Sequence, residues 1–144
     1  MKRYTCHLEN VTSIFTSITG VHLPGFTDSN VVRVYITSCA LSRIPPVIFS
    51  TFANVDYLYA DSCSLGVLNA ATFGGQCGAN LKTVVFSNDN IVRVADDTFQ
   101  GCTSLERLDL TGNTELVSIN QAMFAQDPDF KTVYLKLTND LVLA

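Results

Sequence analysis

LERLDLTGNTELVSINQAMF, residues 105–124, is the stretch that decides the fold. Leucines stand at 105, 108 and 110, and an asparagine follows at 113. Leu108 and Leu110 alternate with polar neighbours at period two, as in a strand with one buried face. Asn113 stands where the chain must leave that strand. An inward-turned amide there satisfies backbone groups that the bend leaves unpaired. Leu116, Ile119 and Phe124 then anchor a return path on the opposite side. One such unit cannot bury its own apolar face, so copies of it are expected along the chain.

The copies are there. VVRVYITSCALSRIPPVIF places Val31, Val34, Ile36, Cys39, Leu41, Ile44 and Phe49 at the template positions. The next unit places Val55, Leu58, Ala60, Cys63, Leu65, Leu68 and Phe73, and the third places Leu81, Val84, Phe86, Asp89, Ile91, Val94 and Phe99. The quoted stretch is the fourth, with one extra residue after Asn113, and a fifth begins at Phe130 with Val133 and Leu135. Starts at 31, 55, 81, 105 and 130 keep a period of 24 to 26 residues. Stacked units of this length bury one continuous core. The implied fold is an α/β solenoid: a horseshoe of about five repeats with a parallel β-sheet on its concave face. Residues 1–144 then form a single domain, with a cap over 1–30 and repeats over 31–144.

Composition agrees with a solenoid, since 47% of residues are apolar and only 15% charged. Net charge is −4 and, apart from Lys2-Arg3, the basic residues are scattered singly, which speaks against a nucleic-acid groove or an anionic membrane surface as partner. No apolar run reaches about 18 residues, so no membrane insertion is expected. Met1-Lys2-Arg3 leads into polar YTCHLEN, which is not the apolar heart of a signal peptide. Either the chain is intracellular, or its leader is absent from this sequence. The segment from Cys6 to Asn30 is rich in Thr, Ser, Val and Ile with turn signals at Gly20 and Pro24-Gly25. It reads as one or two short strands pairing with or covering the edge of the first repeat, where an exposed core end needs a cap. The outer halves IPPVIF, LNAATF, VADDTF and INQAMF are too short for long helices, and Pro45-Pro46 excludes one in the first repeat.

The block of leucines, asparagine and Ile-Pro resembles the animal leucine-rich repeat of about 24 residues. The opening YTCHLENVT with GVHLPGFTDSNVVRVYI resembles the cap of secreted and cell-surface arthropod proteins of that family. FQGCTSL, residues 99–105, is also similar to cysteine-bearing repeats of protozoa and bacteria. The resemblance implies a protein-binding scaffold, extracellular or at the cell surface, in the manner of members that act in innate immunity. It implies no cofactor, and fold alone does not fix the partner.

Cys39 and Cys63 occupy the place of Asn113 and read as buried thiols substituting for the amide. Cys77 and Cys102 both precede a strand on adjacent turns. Equivalent Cα atoms there lie about 5 to 6 Å apart, so a Cys77–Cys102 disulfide is expected, although a reduced core pair is sterically as acceptable. Cys6 in the cap has Cys39 as its candidate partner. No CxxC is present, and the paired acids Asp96-Asp97 and Asp127-Pro128-Asp129 lack calcium-loop spacing, so no metal site is expected. Cys6 and His7 point to opposite faces of a strand, which is poor geometry for a nucleophile and its base. The chain does not read as an enzyme. Asn10-Val11-Thr12 is a glycosylation acceptor triplet in the cap.

The face opposite the core follows from the strand alternation. It carries Arg33, Tyr35 and Thr37, then Asp56, Tyr57, Tyr59 and Asp61, then Lys82, Thr83, Val85 and Ser87. Glu106, Arg107, Asp109 and Thr111 follow, then Thr132, Tyr134 and Lys136. Four of the five tyrosines fall on this face. Tyrosine offers wide contact with a polar tip, which suits a protein ligand. The candidate partner site is therefore Arg33, Tyr35, Tyr57, Tyr59, Asp61, Val85, Arg107, Asp109 and Tyr134, with the three tyrosines of the first two repeats expected largely exposed. TNDLVLA ends the sequence on apolar residues, which favours a homodimer through the C-terminal edge. A self-associating structural module is thus the alternative to a binding module.

Overall fold

The computed structural model describes residues 3–124, 134–136 and 142–143. The strands at the repeat starts are β2 (Val31–Thr37), β3 (Tyr57–Asp61), β5 (Thr83–Ser87), β7 (Arg107–Asp109) and β9 (Tyr134–Lys136). With β1 (Tyr4–Glu9) they form one sheet in the order β1-β2-β3-β5-β7-β9, every pair parallel. Register keeps the repeats aligned: Val34, Leu58, Val84 and Leu108 stand opposite one another, as do Ile36, Ala60 and Phe86. All seven are at most 1% exposed, so each turn adds one layer to a shared core. The return paths carry short strands, β4 (Val67–Leu68) beside β6 (Arg93–Val94) and β8 (Ser118–Ile119) beside β10 (Val142–Leu143).

The bend after each strand has one construction. Asn10, Ser38, Ser62, Asn88 and Gly112 each follow a strand by one residue or lie at the equivalent place, and all have φ between 51° and 82°. The N–H of Asn10, Ser38, Ser62 and Asn88 donates to the carbonyl of Thr37, Asp61, Ser87 and Thr111 on the next turn, at 3.1–3.2 Å. Asn113 completes the bend from inside. Its Oδ1 accepts from the N–H of Asp89 and Ile91 at 3.0 and 3.1 Å, and its Nδ2 donates to Phe86 and Leu110 carbonyls at 2.7 and 2.9 Å. The inward amide expected from the sequence therefore satisfies four backbone groups.

The cap supplies a strand at the edge of the first repeat, the first of the two arrangements open from the sequence. β1 pairs with the edge of the first repeat and continues the ladder in parallel, with Cys6 opposite Val34 and Leu8 opposite Ile36. Val11, Ile14, Phe15 and Ile18 then fold over the open end of the core. In the first repeat a short helix, α1 (Val47–Thr51), begins directly after Pro45-Pro46. Proline lacks a donor that the first helical turn does not use, so the pair starts a short helix while still excluding a long one. Ile48 and Phe52 fill the core there, and Phe49 stays half-buried.

Two cysteine expectations are corrected. Cys39 and Cys63 are not separate thiols: they form a disulfide, their Cα atoms 4.3 Å apart, because stacked bends face each other directly. Cys6 is consequently free and not paired with Cys39; it lies opposite Val34, toward the other end of the strand from the bend. Cys77–Cys102 is the second disulfide, with Cα atoms 5.1 Å apart.

Candidate binding face

Strand alternation puts every second residue of the main sheet on the side away from the core, and register arranges these in rows across the strands. One row runs Thr5, Arg33, Tyr57, Thr83, Arg107 and Tyr134. The next runs His7, Tyr35, Tyr59, Val85, Asp109 and Lys136, and a third runs Glu9, Thr37, Asp61 and Ser87. Arg33 and Arg107 therefore share the first row with Tyr57, Asp109 shares the second with Tyr35 and Tyr59, and Asp61 stands in the third.

The aromatics hold one another. Tyr35 packs against Tyr57 and Tyr59 with ring centroids 5.9 and 5.3 Å apart, and His7 meets Tyr35 edge-on at 5.1 Å. The Arg33 guanidinium lies 4.8 Å from the centre of the Tyr57 ring. Burial pushes the Tyr57 hydroxyl pKa up, and neighbouring Tyr35 adds to this against the opposing pull of Arg33 and Arg107. Tyr35, Tyr57 and Tyr59 are thus half-buried, not largely exposed as the alternation suggested. Val85 and Asp109 go further, at 7% and 8% exposed, although they face away from the core. Asp109 Oδ1 accepts from the backbone N–H of Thr111 at 2.9 Å and also from its hydroxyl. Asp61 accepts from Asn88 Nδ2 at 2.9 Å and from the Ser62 hydroxyl.

Side-chain height explains the buried positions. Thr83, Val85 and Ser87 on β5 are short, while Tyr57 and Tyr59 on β3 and Arg107 on β7 are tall. Between them lies a hollow of about 310 Å³, lined by these residues with Asp109 and Thr111. Of the site predicted from sequence, the structure gathers Tyr57, Tyr59, Val85, Arg107 and Asp109 here and places Arg33 and Tyr35 behind the tyrosine wall. Tyr134 joins the first row opposite Arg107, and its side chain lies outside the described residues. Thr83 and Ser87 carry no chemistry that singles them out in sequence; only their shortness beside tall neighbours makes them a floor.

A second hollow, about 220 Å³, lies in the cap. His22 Nε2 donates to Asp28 Oδ1 at 2.7 Å and its Nδ1 is hydrogen-bonded to the Tyr4 hydroxyl at 3.1 Å. Cys6 lines the same space, but burial and the nearby Asp28 push its thiol pKa up, away from the thiolate that nucleophilic chemistry needs. Among the described residues no group of His, Cys, Asp and Glu could hold a metal ion. Among them, too, no helix is long and apolar enough to cross a membrane. Asn10 is exposed at the end of β1.

Comparison with known proteins bears on the repeats. The family model described as leucine rich repeat matches residues 79–141. That match lies beyond the cap and carries nothing for the arthropod likeness of its residues. No curated protein matches the chain.

Proposed function

The chain is a leucine-rich repeat protein, and from that premise we propose that it is a recognition module of an extracellular or cell-surface compartment, engaging a protein ligand on the exposed face of its main sheet. Leucine-rich repeat domains are generally protein-interaction modules, which supports the coarse function. The observation that carries the finer one is the packed aromatic cluster of Tyr35, Tyr57 and Tyr59, with Arg33 on one flank and a hollow on the other. Rigid tyrosines beside charges combine contact area with low ordering cost, and solenoid stability does not require them on this side. Two disulfides support an oxidising compartment. Asn10-Val11-Thr12 at the exposed end of β1 supports passage through a glycosylating one.

The test is a separation of binding from stability. Tyr57→Ala and Tyr59→Ala should each weaken partner capture about thirtyfold, the loss expected at an interface hot spot. The same changes should cost the fold no more than about 1 kcal/mol, because these rings lie outside the core. Capture that survives both changes but fails on substitution of Asp96, Asp97 or His22 would move the ligand to another surface.

A further inference from the structure

Resting on that reading, we propose that the hollow over β5 accepts an extended segment of the partner carrying an acidic, an apolar and a basic side chain at alternate positions. Three observations combine. The first is width. The walls stand on β3 and β7, the two neighbours of β5, so about 9.5 Å separates their backbones. A helix with its side chains is about 10–12 Å across and cannot enter between tall walls at that spacing, whereas a single extended chain can.

The second is spacing. Thr83, Val85 and Ser87 form the floor at alternate positions of one strand, so its three steps are about 6.6 Å apart. An extended segment lying along the strand direction presents its own alternate side chains at the same interval, whichever way the chain runs. The third is polarity along the hollow. Beside Thr83 stands exposed Arg107, with Lys82 next to it paired to Glu106; beside Val85 stands the Tyr59 ring; just outside the lining, beside Ser87, stands Asp61, held by Asn88 and Ser62, with Asp109 one step back. The hollow is flanked by the Arg107 cation at one end, is apolar over Val85, and is flanked by the Asp61 and Asp109 carboxyls at the other. The complementary segment is acidic–x–apolar–x–basic, read from the strand starts toward the strand ends. Long-range charge complementarity of this kind selects partners and fixes register.

Three capped nonapeptides with the central sequences Glu-Thr-Val-Thr-Lys, Glu-Thr-Val-Thr-Glu and Lys-Thr-Val-Thr-Lys test this against the full chain by nuclear magnetic resonance titration. The mixed-charge peptide should bind about tenfold tighter than either uniform one, since each end contributes a rim charge pair worth several-fold. Shifts should concentrate at Thr83, Val85 and Ser87. Arg107→Glu should invert the preference toward the peptide with lysine at both ends, and Asp61→Lys toward the one with glutamate at both ends. The two variants change opposite ends, so a folding defect in one leaves the other as a test. Equal binding of all three peptides, or shifts that map to the cap, overturns the inference. If Tyr57→Ala nevertheless weakens partner capture in that case, the binding face stands and only the chemistry of its occupant falls.

Discussion

Asp89 and Asn113 hold equivalent places on adjacent turns, one presenting a carboxyl and the other an amide. Asn113 spends both its oxygen and its nitrogen on backbone groups. Asp89 is 0% exposed and its Oδ1 accepts from the Cys63 N–H at 2.7 Å, but its Oδ2 is buried without a hydrogen-bond partner. Burial above all, with the nearby Asp61 charge, raises its pKa from 3.8 to about 7 against the lowering effect of the Cys63 bond. The folded state therefore holds a proton that the unfolded chain has already lost. The stability this group contributes is full below about pH 4 and is lost as pH rises toward 7, after which it stays constant. Asp89→Asn removes the titration and restores the donor that the next turn uses. It should raise stability at pH 8 by about 1–3 kcal/mol, the cost of an unsatisfied buried group. It should also flatten the pH dependence between 4 and 7. Chemical denaturation of both proteins at pH 4.5 and 8 reads this, and equal stabilities at pH 8 would sink it. Spacing alone placed both residues at the bend. The protonation of Asp89 was not legible, because it depends on which backbone groups the neighbouring turns leave open.

At the scale of the strand and its bend, the left-handed residue after each strand is the recurrent device, and the chain fills it with asparagine, serine or glycine. Ser38 and Ser62 adopt it with a side chain, whereas Gly112 does so at φ 82° with no room to spare. A Cβ on Gly112 would run into the Asn88 side chain, which is held by its bond to Asp61. Gly112→Ala should therefore cost about 1–3 kcal/mol, conformational strain plus the shift of Asn88. Ser62→Gly, by contrast, should stay within about 1 kcal/mol, the ordinary penalty for a freer unfolded chain. Thermal melts that leave both variants at the wild-type midpoint would refute the assignment. The five repeat strands were legible because apolar period two recurs at a fixed interval. The cap strand was legible only as a short strand at the edge of the first repeat. The bounds and register of β1 were not, because Cys6 and Leu8 alone keep the inward alternation and no return path of the expected pattern follows them. The hollow was half legible, since alternation names Tyr59, Val85 and Asp109 as one face but does not say that unequal heights bury two of them.

Across the whole molecule, stability is shared between neighbouring turns, and the disulfides tie particular turns together. Cys39–Cys63 joins the bends of the first two repeats, and Cys77–Cys102 joins the segments leading into β5 and β7. They close loops of 24 and 25 residues in sequence, and each constrains the unfolded chain by about 3 kcal/mol. In a solenoid each turn rests only on its neighbours, so the first link acts on the first two repeats and the second on the turns that carry β5 and β7. Chain secreted from eukaryotic cells should thus show a single titratable thiol, Cys6, after denaturation without reductant, and added glycan mass at Asn10. Reduction should lower its melting temperature by on the order of 10 °C or more, the two contributions together. Hydrogen exchange should then lose protection first in β2 and β3, whose bends the Cys39–Cys63 link clamps from inside the core. Secreted protein with several free thiols and an unmodified Asn10 would remove both supports for an extracellular compartment. Oxidised protein that melts at the same temperature with and without reductant would show instead that the links are incidental to a core already sufficient by itself.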